Sequence, residues 1–123
     1  MAVLDSSATI DILSGNGLGI ILRDKYKREA TRTTTITMHE VLFGVKQEYK
    51  KQVLNYFQTL DILSFDSASA IKSSELEQEM RAKGKILNRL DVFIAAICIT
   101  RGEPLITTDK DFKQIPGLKI LTV

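Results

Sequence analysis

The run NRLDVFIAAICITRGEPLITTDKDF, Asn88 to Phe112, places carboxylates at two ends of a helix–turn–strand unit. Asp91 falls in the first turn of an otherwise apolar helix, Gly102-Glu103-Pro104 makes a turn, and the apolar strand Leu105–Thr107 runs into Asp109 and Asp111. A helix with no polar face has to be covered on all sides. A carboxylate opening such a helix and one closing such a strand can meet at one edge of a sheet, where together they make a metal site.

Elsewhere in the chain the same alternation recurs. Ala2–Leu4 is a short apolar strand ending on Asp5, and Ser6, Ser7 and Thr9 suit the helix start that follows. Ser14-Gly15-Asn16-Gly17 is a turn, after which Leu18, Leu22 and Tyr26 recur at helical spacing. Thr33–Ile36 is β-branched and predicts a second strand, with a helix starting near Thr37 on the stripe Met38, Leu42 and Val45. Val53, Phe57 and Leu60 mark the next helix, and Ile62–Phe65 a third strand. Asp66 or Ser67 caps a long helix reaching Lys83-Gly84. Asn88–Arg101 is the buried helix, and Leu118–Leu121 a fifth strand after Leu105–Thr107. Strands in apolar runs, alternating with helices, imply an α/β fold with a parallel sheet covered on both faces. In such sheets ligands bind beyond the carboxyl ends of the strands, where Asp5 and Asp109 sit.

Bulk properties narrow the class. A chain of 123 residues supports one domain with its own core. The longest apolar run, Val92–Ile99, is far short of the ~20 residues that span a bilayer. The N-terminal MAVLDSSATIDIL has acids where a signal peptide is basic and then apolar, so a soluble, cytoplasmic protein is expected. The single Cys98 lies inside the apolar run and is expected to be a buried hydrophobe in a reducing compartment. A net charge of +2 argues little for nucleic acid. Its distribution is more informative, with Arg23 to Arg32, Lys46 to Lys51 and Arg81 to Arg89 clustered. Interleaved acids make solvated helix surface the leading reading of those clusters, with phosphate contact by some of them second.

Asp5, Glu40, Asp91 and Asp109 occupy similar places relative to their elements, Glu40 in the first turn after the second strand. Singly, each has an ordinary explanation as a helix cap or a dipole partner. Together they would gather like charges at one sheet edge, which is unfavourable without a cation among them. Zinc lacks ligands, since His39 and Cys98 are the sole residues of their kinds. Hard oxygen donors suit Mg²⁺ or Mn²⁺, and such an ion, or a pair, supports phosphodiester hydrolysis. Ser7 and Thr107 could orient a water or a carboxylate, or serve as caps. Gly44 either keeps side chains off Glu40 or permits close packing of the helix on the sheet. Arg89 could touch phosphate, or form a surface ion pair. His39, about 100° round the helix from Glu40, is expected to be a bystander rather than a general base, which a metal-bound water would not need.

Four segments in order then resemble the PIN-domain ribonucleases, most of all the VapC-type toxins of toxin–antitoxin pairs. They are Asp5-Ser6-Ser7, Ile36-Thr37-Met38-His39-Glu40-Val41-Leu42-Phe43-Gly44, Asp91-Val92-Phe93-Ile94-Ala95-Ala96 and Leu105-Ile106-Thr107-Thr108-Asp109-Lys110-Asp111-Phe112. Val41 replaces the family's usual Leu, a packing change only. The resemblance implies a single PIN-like three-layer domain over residues 1–123, with about five parallel strands. It also implies that Asp5, Glu40, Asp91 and Asp109 are the catalytic acids and hold one or two Mg²⁺ or Mn²⁺ ions, with Asp111 as an auxiliary acid and Thr107 and Ser7 in support; Arg89 is a candidate supporting residue from its position alone. Endonucleolytic cleavage of RNA, a homodimer and a small antitoxin partner come with it. Nothing in the chain resembles a DNA-reading motif, which fits a division of labour between toxin and antitoxin.

Three other readings compete. A non-catalytic PIN-like RNA-binding or scaffold protein would not need the intact acids, and a PIN nuclease of RNA processing would need no antitoxin. A phosphoryl-transfer site would need Asp-x-Asp on the first strand, where this chain has Asp5-Ser6-Ser7.

Overall fold

The computed structural model describes residues 1–122. Strand β1 (Ala2–Leu4) leads into helices α1 (Ser6–Ser14) and α2 (Gly17–Lys25), and β2 (Ala30–Thr34) into α3 (Thr35–Gly44) and α4 (Lys50–Phe57). β3 (Asp61–Leu63) precedes the long α5 (Ser67–Ala82) and α6 (Arg89–Arg101), and β4 (Leu105–Ile106) and β5 (Ile120–Leu121) close the chain. All strand pairings are parallel, in the order β3-β2-β1-β4-β5.

Successive strand side chains point to opposite faces, and the centre of the sheet follows that rule. Val3 and Leu105 enter one core, against Leu76 of α5 and Ile94 and Ile97 of α6. Ala2, Leu4 and Ile106 enter the other, against Ala8 of α1, Leu22 of α2 and Tyr26 just past its end. Each of these faces carries helices, which gives the α/β three-layer arrangement expected of the sequence. In α6, Val92 and Ile94–Cys98 are all buried, so no face of the helix middle remains for water. Burial of an Ile such as Ile94 contributes roughly 1.5–3 kcal/mol. The helix starts at the cap Asn88, whose side chain accepts the Leu90 N–H at 2.9 Å, and stops at Gly102 with φ 66°.

Several element ends differ from expectation. The second strand is Ala30–Thr34, and the helix after it starts at Thr35 rather than near Thr37. The cause is local: Thr34 Oγ1 accepts the Thr37 N–H at 3.0 Å and caps α3, drawing Ile36 out of the strand. Glu40 therefore sits in the second helical turn, not the first. Leu60 lies past the end of α4, and Phe65 lies past β3, where its ring meets Phe93 at 4.4 Å. Asp66, not Ser67, caps α5 by accepting the Ser69 N–H. Gly17 and Leu118 also change place: Gly17 already opens α2 behind the cap Asn16, and the last strand starts at Ile120.

Candidate active site

From β1 the chain moves to β2 and β3, then returns to β4 on the other side of β1. The crevice beyond the carboxyl ends of β1 and β4 is thus a switch point, the usual location of a site in a parallel sheet. Leu4 stands opposite Ile106, and the Asp5 N–H continues the ladder to the Ile106 carbonyl at 3.2 Å.

Asp5 is only 2% exposed. Its Oδ1 accepts the Ala8 N–H at 2.8 Å and so caps α1. The Ser7 hydroxyl donates to both carboxylate oxygens at 2.9 Å, and the Thr107 hydroxyl donates to Oδ2. Capping and a place in the site are therefore compatible for this residue. Asp109 repeats the arrangement: it caps the short 3-10 turn Lys110–Gln114 through the Asp111 N–H at 2.9 Å, while its own N–H donates to Thr107 Oγ1. Thr107 thereby joins the two strand-end acids.

Glu40 reaches the same region from α3, where Oε1 accepts the Ser6 hydroxyl at 2.6 Å. Asp91 enters from the first turn of α6. Its carboxyl is pushed up to about 7, by burial first and then by the charges of Asp109, Glu40, Asp5 and Asp111. Asp5 is pushed up to about 6: burial outweighs the bonds from Thr107, Ala8 and Ser7, and Asp109 adds repulsion. The charges of Asp109, Glu40 and Asp5, from three other segments, thus all act on Asp91, and that of Asp109 on Asp5 as well. None of the four takes part in an ion pair among the described residues.

No three of these acids are gathered into a ready ligand shell among the described residues. The donor set itself, several oxygen ligands with no cation beside them, fits a hard divalent ion such as Mg²⁺ or Mn²⁺. Beside it, an open cavity of about 580 Å³ runs between α1, α3 and the start of α4, lined in part by Ile10, Leu13, Glu40, Gly44 and Tyr49.

Other residues singled out in the sequence have varied placements. Ser7 and Thr107 both bind Asp5. Asp111 is exposed, close enough for its charge to act on Asp91. Arg89 is engaged elsewhere, in a two-bond pair with Glu77 of α5 at 2.9 and 3.2 Å. A Cβ on Gly44 would meet nothing within 4 Å, so close packing is not its reason. His39 is exposed and stacked on Phe43, and Cys98 is buried, its thiol pushed up to about 12 mainly by that burial. Of the cationic clusters, Arg32 departs from a solvated role and pairs with Glu103 at 2.7 Å, partly buried.

Two contributors were not anticipated. One is Ser6, and the other is Asp11, which accepts the Thr108 hydroxyl at 3.2 Å and the Asn16 amide at 3.0 Å, tying α1 to the loop that carries Asp109. The consecutive hydroxyls Ser6-Ser7 and Thr107-Thr108 beside acids were the available signal.

Comparison with known proteins adds sequence and fold relationships. The PIN domain family profile matches residues 2–118. The tRNA(fMet)-specific endonuclease VapC of Salmonella typhimurium is 24% identical over 107 residues, 80% of this chain and 81% of that protein. Ribonuclease VapC1 of Methanocaldococcus jannaschii is 32% identical over 89 residues, 69% of this chain and 65% of its own length. Among solved structures, VapBC2 from Rickettsia felis bound to a DNA fragment from their promoter superposes with a TM-score of 0.85 at 23% identity, covering 99% of this chain and 98% of that one. A toxin–antitoxin complex from Klebsiella pneumoniae gives 0.80 at 27% identity, covering 99% and 97%.

Proposed function

This chain belongs to the PIN-domain family, and we propose that it is a divalent-metal-dependent endoribonuclease, the toxin of a type II toxin–antitoxin pair. What supports the catalytic part is that Asp109, Glu40 and Asp5, from three other segments, are near enough for their charges to act on Asp91, and that none of the four has an ion-pair partner among the described residues. RNA as substrate and an antitoxin as partner are supported by the relatives named as ribonucleases and by the solved complexes named above. The chain works as a single PIN-like domain, in the cytoplasm and as a homodimer.

In this reading the four acids hold one or two Mg²⁺ or Mn²⁺ ions. A bound ion of this kind supplies Lewis acidity, lowering the pKa of water and stabilising charge on the reacting phosphate. The chain's own part is positioning. Ser7, Ala8 and Thr107 fix the Asp5 carboxylate through uncharged donors. Thr107 sets the Asp109 backbone beside it, and Asp91 projects from the first turn of a helix whose middle is buried. Asp111 adds negative charge at the rim.

The test is cleavage of single-stranded RNA with Mg²⁺ or Mn²⁺ by wild type and by Asp5→Asn. Cleavage by wild type alone is expected. Equal cleavage by both, or none with any divalent metal, would overturn the assignment. For the antitoxin, the neighbouring reading frame should encode a small DNA-binding protein that blocks cleavage when co-expressed.

A further inference from the structure

The residue between Asp5 and Ser7 has a separate task. Ser6 is the first residue of α1, but Asp5 already caps that helix, so the Ser6 side chain is not needed to start it. Its hydroxyl instead crosses from α1 to α3 and donates to Glu40 Oε1 at 2.6 Å. This is the sole hydrogen bond to the Glu40 side chain found among the described residues. Glutamate has one more rotatable bond than aspartate, and Glu40 lies on a helix face that is only half-buried. Packing alone leaves such a carboxylate several rotamers.

We propose that Ser6 is a positioning residue for Glu40: its hydroxyl holds Oε1 and turns Oε2 toward Asp5, Asp91 and Asp109. A neutral donor suits that task, because it restrains the carboxylate without neutralising its charge. An Arg or Lys in its place would restrain Glu40 equally well and compete with the cation. The three residues at the end of β1 then divide the work: Asp5 is the acid, Ser7 holds Asp5, and Ser6 holds the acid of the neighbouring helix. This inference rests on the four-acid reading of the site.

The experiment is a Mn²⁺ titration by calorimetry and by thermal shift, on wild type, Ser6→Ala, Ser6→Thr and Glu40→Gln. Asp5 already caps α1 and Ser6 is only its first residue, so metal-free Ser6→Ala should melt close to wild type. Its Mn²⁺ affinity should fall about tenfold, the usual scale for removing a partner that orients a ligand. Ser6→Thr, which keeps the hydroxyl, should restore most of that loss. Wild-type affinity in Ser6→Ala, or equal loss in Ser6→Ala and Ser6→Thr, overturns the proposal. Glu40→Gln separates this failure from failure of the site: weak Mn²⁺ binding there with normal binding in Ser6→Ala refutes only the role of Ser6. Unchanged binding in Glu40→Gln refutes the four-acid reading as well.

Discussion

Thr107 and Asp5 lie 102 positions apart in the chain, yet the hydroxyl of one donates to the carboxylate of the other within a buried site. The same Thr107 oxygen accepts the N–H of Asp109 at 2.9 Å. Removing it should therefore disturb both strand-end acids. Thr107→Val keeps the shape and deletes the donor and acceptor, leaving Asp5 short of a partner. A loss of about 1–3 kcal/mol in unfolding free energy is expected, the cost of an unmet buried polar group. Thr107→Ser should keep most of it. Denaturant unfolding of both variants checks this, and equal stability in Thr107→Val would show the bond to be dispensable.

Metal binding should be visible without RNA. An ion held only by the folded state stabilises it by mass action, about 2.7 kcal/mol at a free concentration of ~100 Kd. Millimolar Mn²⁺ should raise Tm in wild type, and EDTA should reverse the rise. In Asp91→Asn combined with Asp109→Asn the shift should vanish. Its survival there would mean that these acids do not share an ion.

The metal-free protein should lose stability as pH rises. Asp5 and Asp91 are raised from 3.8 to about 6 and about 7, so between those values the folded state keeps protons that the unfolded chain has released. Their penalty is absent below about 3.8 and complete above about 7. Asp66 and Glu77 shift downward, through bonds from Ser69 and Arg89, and their stabilisation is fully present above their ordinary values of 3.8 and 4.5. A scan from about pH 5 to about pH 7.5 therefore isolates the site acids. Tm in EDTA should fall across it, and Asp91→Asn should flatten the upper part. An unchanged slope in that variant would assign the dependence to other groups.

Two glycines make opposite predictions. A Cβ on Gly19 would fall on the backbone carbonyl of Asp11, where α1 and α2 pack closely. Gly19→Ala should cost about 1–3 kcal/mol through forced backbone shifts. Gly44→Ala meets open space in a helix and should be neutral, or stabilising by about 0.4–1 kcal/mol. Thermal unfolding of the pair decides it; a destabilised Gly44→Ala would reveal packing that the structure does not contain.

Local order in the chain was enough to predict the layers and to place the candidate acids on their elements. The apolar run of α6, the strand–acid junctions at Asp5 and Asp109, and the position of Asp91 in a first helical turn all rest on near-neighbour chemistry. So does Cys98 as core. Periodicity and capping operate over a few residues, and a sequence displays them directly. Element ends were less legible: β-branched Thr33–Ile36 looks like strand throughout, and only the bond from the Thr37 N–H to Thr34 shows that a helix takes over at Thr35. Side-chain partners were decided by tertiary structure alone. Nothing local says that Ser6 holds Glu40, that Thr107 joins Asp5 to Asp109, or that Glu77 of α5 draws Arg89 into a pair at the start of α6. Gly19, not Gly44, is the glycine that close packing requires, because that requirement is set by how two helices cross. Each of these facts is a distance between segments remote in the chain, and such distances exist only once the sheet has ordered its strands as β3-β2-β1-β4-β5.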